Sequence, residues 1–145
     1  MDIPLRDLLS VKGLKSTRER EVILRELEAR KDHFNAEKLY FSLLQKGSNV
    51  SRPTIYRTLK LLEKLHFVEK LDIKKNFYYE LISQKRDHGH LICDRCGKII
   101  DFSSSSLEIL KAEVCNKDFK LDNISIQVFG LCRDCQRASK NMRSL

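Results

Sequence analysis

Cys93-x-x-Cys96 is answered far along the chain by Cys132-x-x-Cys135, and no other feature restricts the fold as tightly. Two close pairs of thiolates separated by a long segment have the spacing of a closed tetrahedral zinc site, which ties two distant stretches of chain together. Zinc held this way is structural, because no coordination position stays open. In a reduced compartment such pairs read as metal ligands rather than disulfides. His88 and His90 stand immediately upstream and cannot join the same four-coordinate ion. They call for a second site built from imidazoles and carboxylates. The fifth cysteine, Cys115, is expected to pack as a small core residue on a helix.

With 145 residues the chain can form one ordinary domain or two small ones, and small domains are short of core unless zinc or dimerisation makes up the difference. No apolar stretch approaches the roughly 18 residues needed to span a bilayer, so no membrane helix is expected. Asp2, Asp7 and Lys12 interrupt every apolar run near the N-terminus, which argues against a signal peptide and for a cytoplasmic protein. The net charge of +8 favours a polyanionic partner.

The pattern of residues 18–81 is three helices and a hairpin. After Ser16 or Thr17 as cap, Arg18 to Arg30 carries Val22, Ile23, Leu24 and Leu27 on one stripe. Asn35 caps a second helix, Ala36 to Gln45, buried through Leu39, Tyr40, Leu43 and Leu44 and ended by Gly47. Tyr40 and Phe41 read as core. Ser51 with Pro53 opens a third helix running to about His66. On it Ile55, Thr58, Leu59, Leu61, Leu62 and Leu65 share one face, and Arg52, Tyr56, Arg57, Lys60 and Lys64 the other. By itself a cationic face is only a solvated one. Following a short helix and a Gly-containing turn, it fits the second helix of a helix-turn-helix. Phe67–Leu71 and Phe77–Leu81 read as strands joined around Lys74, Lys75 and Asn76, a wing whose lysines can reach phosphate. Ser83 to Asp87 is a polar connector and the expected boundary between domains 1–83 and 84–145. Beyond it a strand is expected over Lys98–Phe102, a helix over Leu107–Asn116 and a strand over Ile124–Phe129.

Four motifs, Gly13-Leu14-Lys15-x-Thr17, His33-Phe34-x-Ala36-Glu37-x-Leu39-Tyr40, Ser51-x-x-Thr54-Ile55-Tyr56-Arg57-Thr58-Leu59 and His88-x-His90-Leu91-Ile92-Cys93-x-x-Cys96-Gly97-Lys98, in this order resemble the ferric uptake regulator family over essentially the whole chain. The resemblance implies an α+β protein: an N-terminal winged helix-turn-helix domain and a small C-terminal α/β dimerisation domain with structural zinc. It implies a homodimeric metal-dependent repressor of double-stranded operator DNA, not an enzyme. Carried over by residue, Cys93, Cys96, Cys132 and Cys135 fall on the structural zinc ligands. His33, Glu80, His88, His90 and Asp101 fall on the regulatory metal site, which takes Fe2+ or Mn2+, with Zn2+ able to enter it in vitro. Tyr56 and Arg57 fall on the recognition helix, Lys15 on the residue that probes the minor groove and Arg20 near the DNA backbone. Ser51, Arg52 and Thr54, where the recognition helix begins, complete the expected DNA-facing set.

Departures from the family pattern sharpen the reading. A third metal site found in some members needs a histidine and polar ligands where this chain has Ile124 and Gly89, so it is expected to be absent although Glu108 remains. The connector between Glu80 and His88 is slightly longer than in relatives. Asp101 stands where iron-uptake regulators of the family typically have glutamate and the peroxide-sensing branch has aspartate. By that resemblance hydrogen peroxide would oxidise His33 or His88. Glu80 pulls toward the iron-responsive members. Zinc uptake regulators often place a cysteine in the sensory site; none is available here outside the two pairs except Cys115, which stands at the wrong place. Two other classes stand beside this reading. A zinc hydrolase would use Glu80, His88, His90 and Asp101 around an ion with an open position, yet no separate general base is identifiable. A zinc-ribbon interaction module would need only the cysteines.

Overall fold

Side-chain caps start three of the helices of the N-terminal half where the sequence places them. In the computed structural model, which describes residues 4–82, 88–121 and 124–142, the chain divides into two compact units, Met1–Gln84 and Lys85–Leu145. The Ser83–Asp87 connector lies outside the described residues. In the first unit α1 (Leu5–Val11), α2 (Arg18–Ala29), α3 (Ala36–Gln45) and α4 (Arg52–Lys64) precede the antiparallel strands β1 (Val68–Ile73) and β2 (Asn76–Leu81). Thr17 accepts from the Arg20 amide, Asn35 from Lys38 and Ser51 from Thr54, each satisfying an N–H that has no partner within its helix.

The turn between α3 and α4 is set by Gly47, whose φ of 79° suits a residue without a Cβ. The Gly47 and Ser48 amides donate back to Leu44 and Leu43 at 3.0 Å, a closure that satisfies two terminal carbonyls. His66 plays the same part at the end of α4, with φ 59° and its amide on Glu63, followed by Phe67 on Leu62. It is therefore the left-handed cap of α4.

Ile23, Leu24, Leu27, Phe34, Leu39, Leu43, Ile55, Leu59 and Leu62 form the core with Leu5 and Leu9 from α1, each large side chain contributing about 1.5–3 kcal/mol of burial. On α4 the two faces fall as the period requires: Ile55, Thr58, Leu59 and Leu62 are buried, and Arg52, Tyr56, Arg57, Lys60 and Lys64 are exposed. Phe41 and Leu44, expected in the core, are half exposed at 51% and 49%. Leu39 and Leu43 already fill the inward face of α3, and its remaining turns look outward. The wing closes through a two-residue turn in which Lys74 and Lys75 have φ of 51° and 67°. That conformation normally selects asparagine and glycine.

Glu26 on α2 is buried, and its carboxylate accepts from the Ser42 hydroxyl (2.6 Å) and the Lys46 ammonium (2.5 Å) of the α3 segment, with Arg30 Nε 3.5 Å away. Burial pushes its pKa up, but the Lys46 and Ser42 hydrogen bonds and the charges of Lys46 and Arg30 outweigh it, and the net shift is downward from 4.5. With the folded pKa below the unfolded one, this stabilisation is full above the unfolded value and drains away as pH falls through the folded one. Glu26→Gln is expected to cost about 1–2 kcal/mol near pH 7 and to flatten the acid limb of stability. Urea unfolding followed through the Leu27 and Leu39 methyl signals, from about pH 7 to about pH 3.5, checks it.

The second unit contains β3 (Gly89–Cys93), β4 (Ile99–Phe102), α5 (Ser105–Cys115), β5 (Gln127–Gly130) and α6 (Arg133–Met142). Its sheet has the order β4-β3-β5, with β3 antiparallel to β4 and parallel to β5. Strand β3, helix α6 and, in the first unit, α1 are elements the sequence pattern does not announce. Of the large apolar residues described here only Ile92 and Leu107 are buried, whereas Leu91, Ile100, Ile109, Leu110, Phe119, Val128 and Phe129 are exposed. Leu91 faces Ile100 on one side and Val128 on the other, so an apolar stripe crosses one face of the sheet. Cys115, expected in the core, is exposed, because α5 buries only Leu107 and its last turn lies outward.

Candidate metal centres and nucleic-acid interface

Strand β3 ends in the first cysteine pair and α6 begins at the second. Sulfur atoms of Cys93, Cys96, Cys132 and Cys135 lie within 4.8 Å of one another, and Cys96 Sγ stands 3.8 Å from Cys132 Sγ. A tetrahedron with Zn–S bonds of about 2.3 Å has S···S edges of about 3.8 Å, so the four side chains fit zinc. The Cys132 amide donates to Cys93 Sγ at 3.3 Å. That hydrogen bond, with others from the Cys96 and Arg95 amides, pulls the Cys93 thiol down to about 6. Burial, reinforced by the neighbouring thiols, pushes Cys135 up to about 12. Four thiols this close cannot all ionise unless a cation offsets their repulsion. Arg95 Nη1 donates to Ser139 Oγ (2.9 Å) and to the Cys135 carbonyl (3.4 Å), fastening α6 to the loop between the first two cysteines.

The histidine and carboxylate candidates gather as two sets, one in each unit. In the first, the backbone of Phe34 pairs with Tyr79 in an isolated antiparallel bridge, N–H to O 3.1 and 2.7 Å, and their rings stack at 6.0 Å. This bridge sets His33 opposite Glu80, with His33 Nε2 3.0 Å from Glu80 Oε2. Adjacent ligands of an ion with bonds of about 2.1 Å sit about 3.0 Å apart in octahedral and about 3.4 Å apart in tetrahedral geometry, so the pair is close enough to share an ion. In the second unit, the β3–β4 register places His90 opposite Asp101. Asp101 Oδ1 lies 3.8 Å from His90 Nε2 and 4.0 Å from His88 Nε2, and the two imidazoles meet edge to face at 4.7 Å.

Gly89 between the histidines is a residue sequence reasoning passed over as a position of need. A Cβ there would fall inside 3.0 Å of the Phe102 ring, its cross-strand partner. The aromatic lies directly over the glycine and holds the strand pair that presents His88 and His90. The His-x-His spacing opposite a β-strand aromatic is the sequence signal that could have found it. Gly89→Ala is expected to destabilise the second unit by about 1–3 kcal/mol through overpacking, measured by chemical denaturation of the metal-loaded protein.

Among the expected DNA-facing residues, Lys15, Ser51, Arg52, Tyr56 and Arg57 are exposed and Thr54 partly so. Ser51 Oγ and Thr54 Oγ1 share a 2.9 Å hydrogen bond, and Arg57 Nη2 reaches Thr54 Oγ1 at 3.5 Å. Arg20 Nη1 donates to the Lys15 carbonyl at 2.7 Å and so fixes the loop that carries Lys15. Arg52 is engaged with α3, through Glu37 and the ring of Tyr40.

Comparison with known proteins agrees with this arrangement. Residues 11–129 match the model of the ferric uptake regulator family. The chain is 37% identical over 138 residues to the ferric uptake regulation protein of Campylobacter upsaliensis, covering 93% of this chain and 88% of that one. It is 32% identical over 128 residues to the peroxide-responsive repressor PerR of Staphylococcus saprophyticus, covering 86% and 84%. The structure of the Helicobacter pylori ferric uptake regulator, described as having three functional metal-binding sites, superposes with a TM-score of 0.74 at 35% identity, over 91% of this chain and 89% of that one. With a winged helix, a four-cysteine cluster and this agreement along nearly its whole length, the chain belongs to the ferric uptake regulator family of metal-dependent transcriptional regulators.

Proposed function

We propose that the chain is a cytoplasmic, homodimeric repressor that binds double-stranded operator DNA when Fe2+ or Mn2+ joins His33 and Glu80 of one unit to His88, His90 and Asp101 of the other. Zn2+ held by Cys93, Cys96, Cys132 and Cys135 is structural. The observation that carries the reading is the division of one imidazole–carboxylate set into two shares, His33–Glu80 at 3.0 Å and His90–Asp101 at 3.8 Å, each held in its own unit. An ion that prefers the joined arrangement shifts the equilibrium between unit orientations. In a dimer that orientation sets the spacing of two recognition helices, which must match half-sites about 34–36 Å apart. The apolar stripe of Ile100, Leu91 and Val128 supports self-association, since monomers rarely leave such a face in water.

On the DNA side, Tyr56 and Arg57 are proposed to read bases, with Lys15 in the minor groove and Ser51, Thr54 and the wing lysines on the backbone. Both wing lysines hold left-handed turn positions that asparagine or glycine would fill at lower cost, a strain of the kind that gathers at contact sites. Gel shifts with and without Mn2+ test the reading. Binding that depends on the metal, and that falls by about 1–3 kcal/mol in Arg57→Ala with folding kept, supports it; metal-independent binding or none overturns it.

The names of the relatives favour iron as the signal. Asp101 favours a second reading, in which peroxide inactivates the Fe2+-loaded repressor by oxidising His33 or His88. Loading with Fe2+, adding hydrogen peroxide and weighing the peptides decides between them: a gain of about 16 Da, one oxygen, on His33 or His88 is the peroxide result. Unmodified histidines in a repressor that still releases DNA when iron is removed leave iron sensing alone.

A further inference from the structure

We infer that Arg52 is a positioning residue of the recognition helix, a clamp that closes α4 onto α3, and not a phosphate contact. The inference rests on the DNA-binding reading above. Arg52 occupies the first turn of α4, where no acidic residue precedes or accompanies it and where the partial positive charge of the helix end disfavours a cation. A guanidinium placed there needs a compensating anion, and Glu37 on α3 supplies it. Arg52 Nε donates to both Glu37 oxygens, at 3.1 and 3.2 Å. The same guanidinium lies 3.9 Å from the centroid of the Tyr40 ring and 5.7 Å from that of Phe41.

Glu37 and Tyr40 are one helical turn apart on α3, so a single side chain grips that helix at two heights. Phe41 meets Tyr40 edge-on at 5.4 Å and backs the platform. This explains why Tyr40 and Phe41 remain partly exposed on α3: they form a seat for a side chain from α4. The geometry holds the crossing of the two helices from the outside, while Leu39, Ile55 and Leu59 hold it from within. Glu37 already offsets the charge of this guanidinium and the Tyr40 ring covers one of its faces, so a phosphate gains less from it than from a free arginine, although only Nε–H is engaged. Lysine cannot reproduce the grip, because it lacks the flat stacking surface.

The experiment compares wild type, Arg52→Gln, Arg52→Lys, Glu37→Gln and the double variant Arg52→Gln/Glu37→Gln. Each Mn2+-loaded protein is titrated onto duplexes selected by the wild type from a random library, at several salt concentrations. A clamp predicts that each single substitution, Arg52→Lys included, weakens binding about three- to tenfold, in line with an exposed ion pair and one cation–π contact. It predicts an unchanged slope of log K against log salt, and a double variant no weaker than either single one. A phosphate contact predicts a slope shallower by about 0.9 in Arg52→Gln, binding retained in Arg52→Lys, and binding unchanged or tighter in Glu37→Gln; that pattern overturns the clamp. A second measurement needs no DNA: the Arg52 Nε–H NMR signal, shifted by the Tyr40 ring, is expected to move in Glu37→Gln. An unmoved signal overturns the clamp. Failure of the wild type to bind any duplex sinks the regulator reading instead, and the nitrogen signal still decides whether the clamp exists.

Discussion

Stripping zinc with a chelator, or replacing Cys96 with serine, is expected to unfold the second unit and leave the first intact. The asymmetry follows from what each unit buries. The first has its own core, from Leu5 and Leu9 through Leu24, Leu27 and Phe34 to Leu59 and Leu62. Among its described residues the second buries only Ile92 and Leu107 of the large apolar ones, which at about 1.5–3 kcal/mol each fall far short of the ordering entropy of a three-stranded sheet and two helices. Structural zinc contributes about 10–16 kcal/mol in small metal-folded domains, and here it would tie β3 to α6 directly. The measurement is an amide spectrum before and after chelation. Collapse of the β3, β4 and β5 signals with α2, α3 and α4 retained is the expected result. A second unit that stays folded without metal would remove zinc from its structural role. Because the thiols must give up protons to bind the metal, mild acid is expected to promote the loss.

Removing the first unit's share of the regulatory ligands, in His33→Ala/Glu80→Ala, is expected to abolish metal-dependent DNA binding even at saturating Mn2+. The argument separates affinity from coupling. An ion held only by His88, His90 and Asp101 binds both orientations of the units equally, and a ligand with equal affinity for two states shifts neither, however tightly it is held. Moving such an equilibrium from mostly open to mostly closed takes about 5.5 kcal/mol of differential affinity, and the two substitutions remove its source. His88→Ala differs. It keeps ligands on both sides, so it is expected to weaken Mn2+ binding by about 10- to 100-fold or more, yet excess metal restores DNA binding. Calorimetric Mn2+ titration and gel shifts on the same samples distinguish the two outcomes. Full metal-dependent binding by His33→Ala/Glu80→Ala would end the proposed bridging mechanism.

Local signals made the sites easier to read than the elements that carry them. Thr17, Asn35 and Ser51 mark helix starts because a cap is a contact within three residues, and the cysteine pairs stand out because metal spacing is short-range. α1 was missed because its seven residues have only Leu5 and Leu9 as buried anchors, too few for a period. β3 was hidden by its own chemistry, since a run that reads as ligands does not read as alternation. α6 carries a polar sequence, RDCQRASKNM, tied through Cys135 and Ser139 to Arg95 in the loop between the first two cysteines. Phe41 and Leu44 read as core because α3 is apolar on more than one face, and a period cannot tell a buried face from an exposed one. In the second unit β5 begins at Gln127 rather than at the expected Ile124, although the Ile126 carbonyl already accepts from His90 N–H at 2.8 Å.

Strand β3 carries His90 and Cys93 on one run of five residues, about 10 Å apart at the rise of an extended chain. Closing the four-cysteine site is therefore expected to steady the same strand whose pairing with β4 sets His90 opposite Asp101. If the proposed metal sites hold, a newly made chain is expected to respond poorly to its regulatory metal before it is zinc-loaded, and zinc starvation is expected to blunt that response.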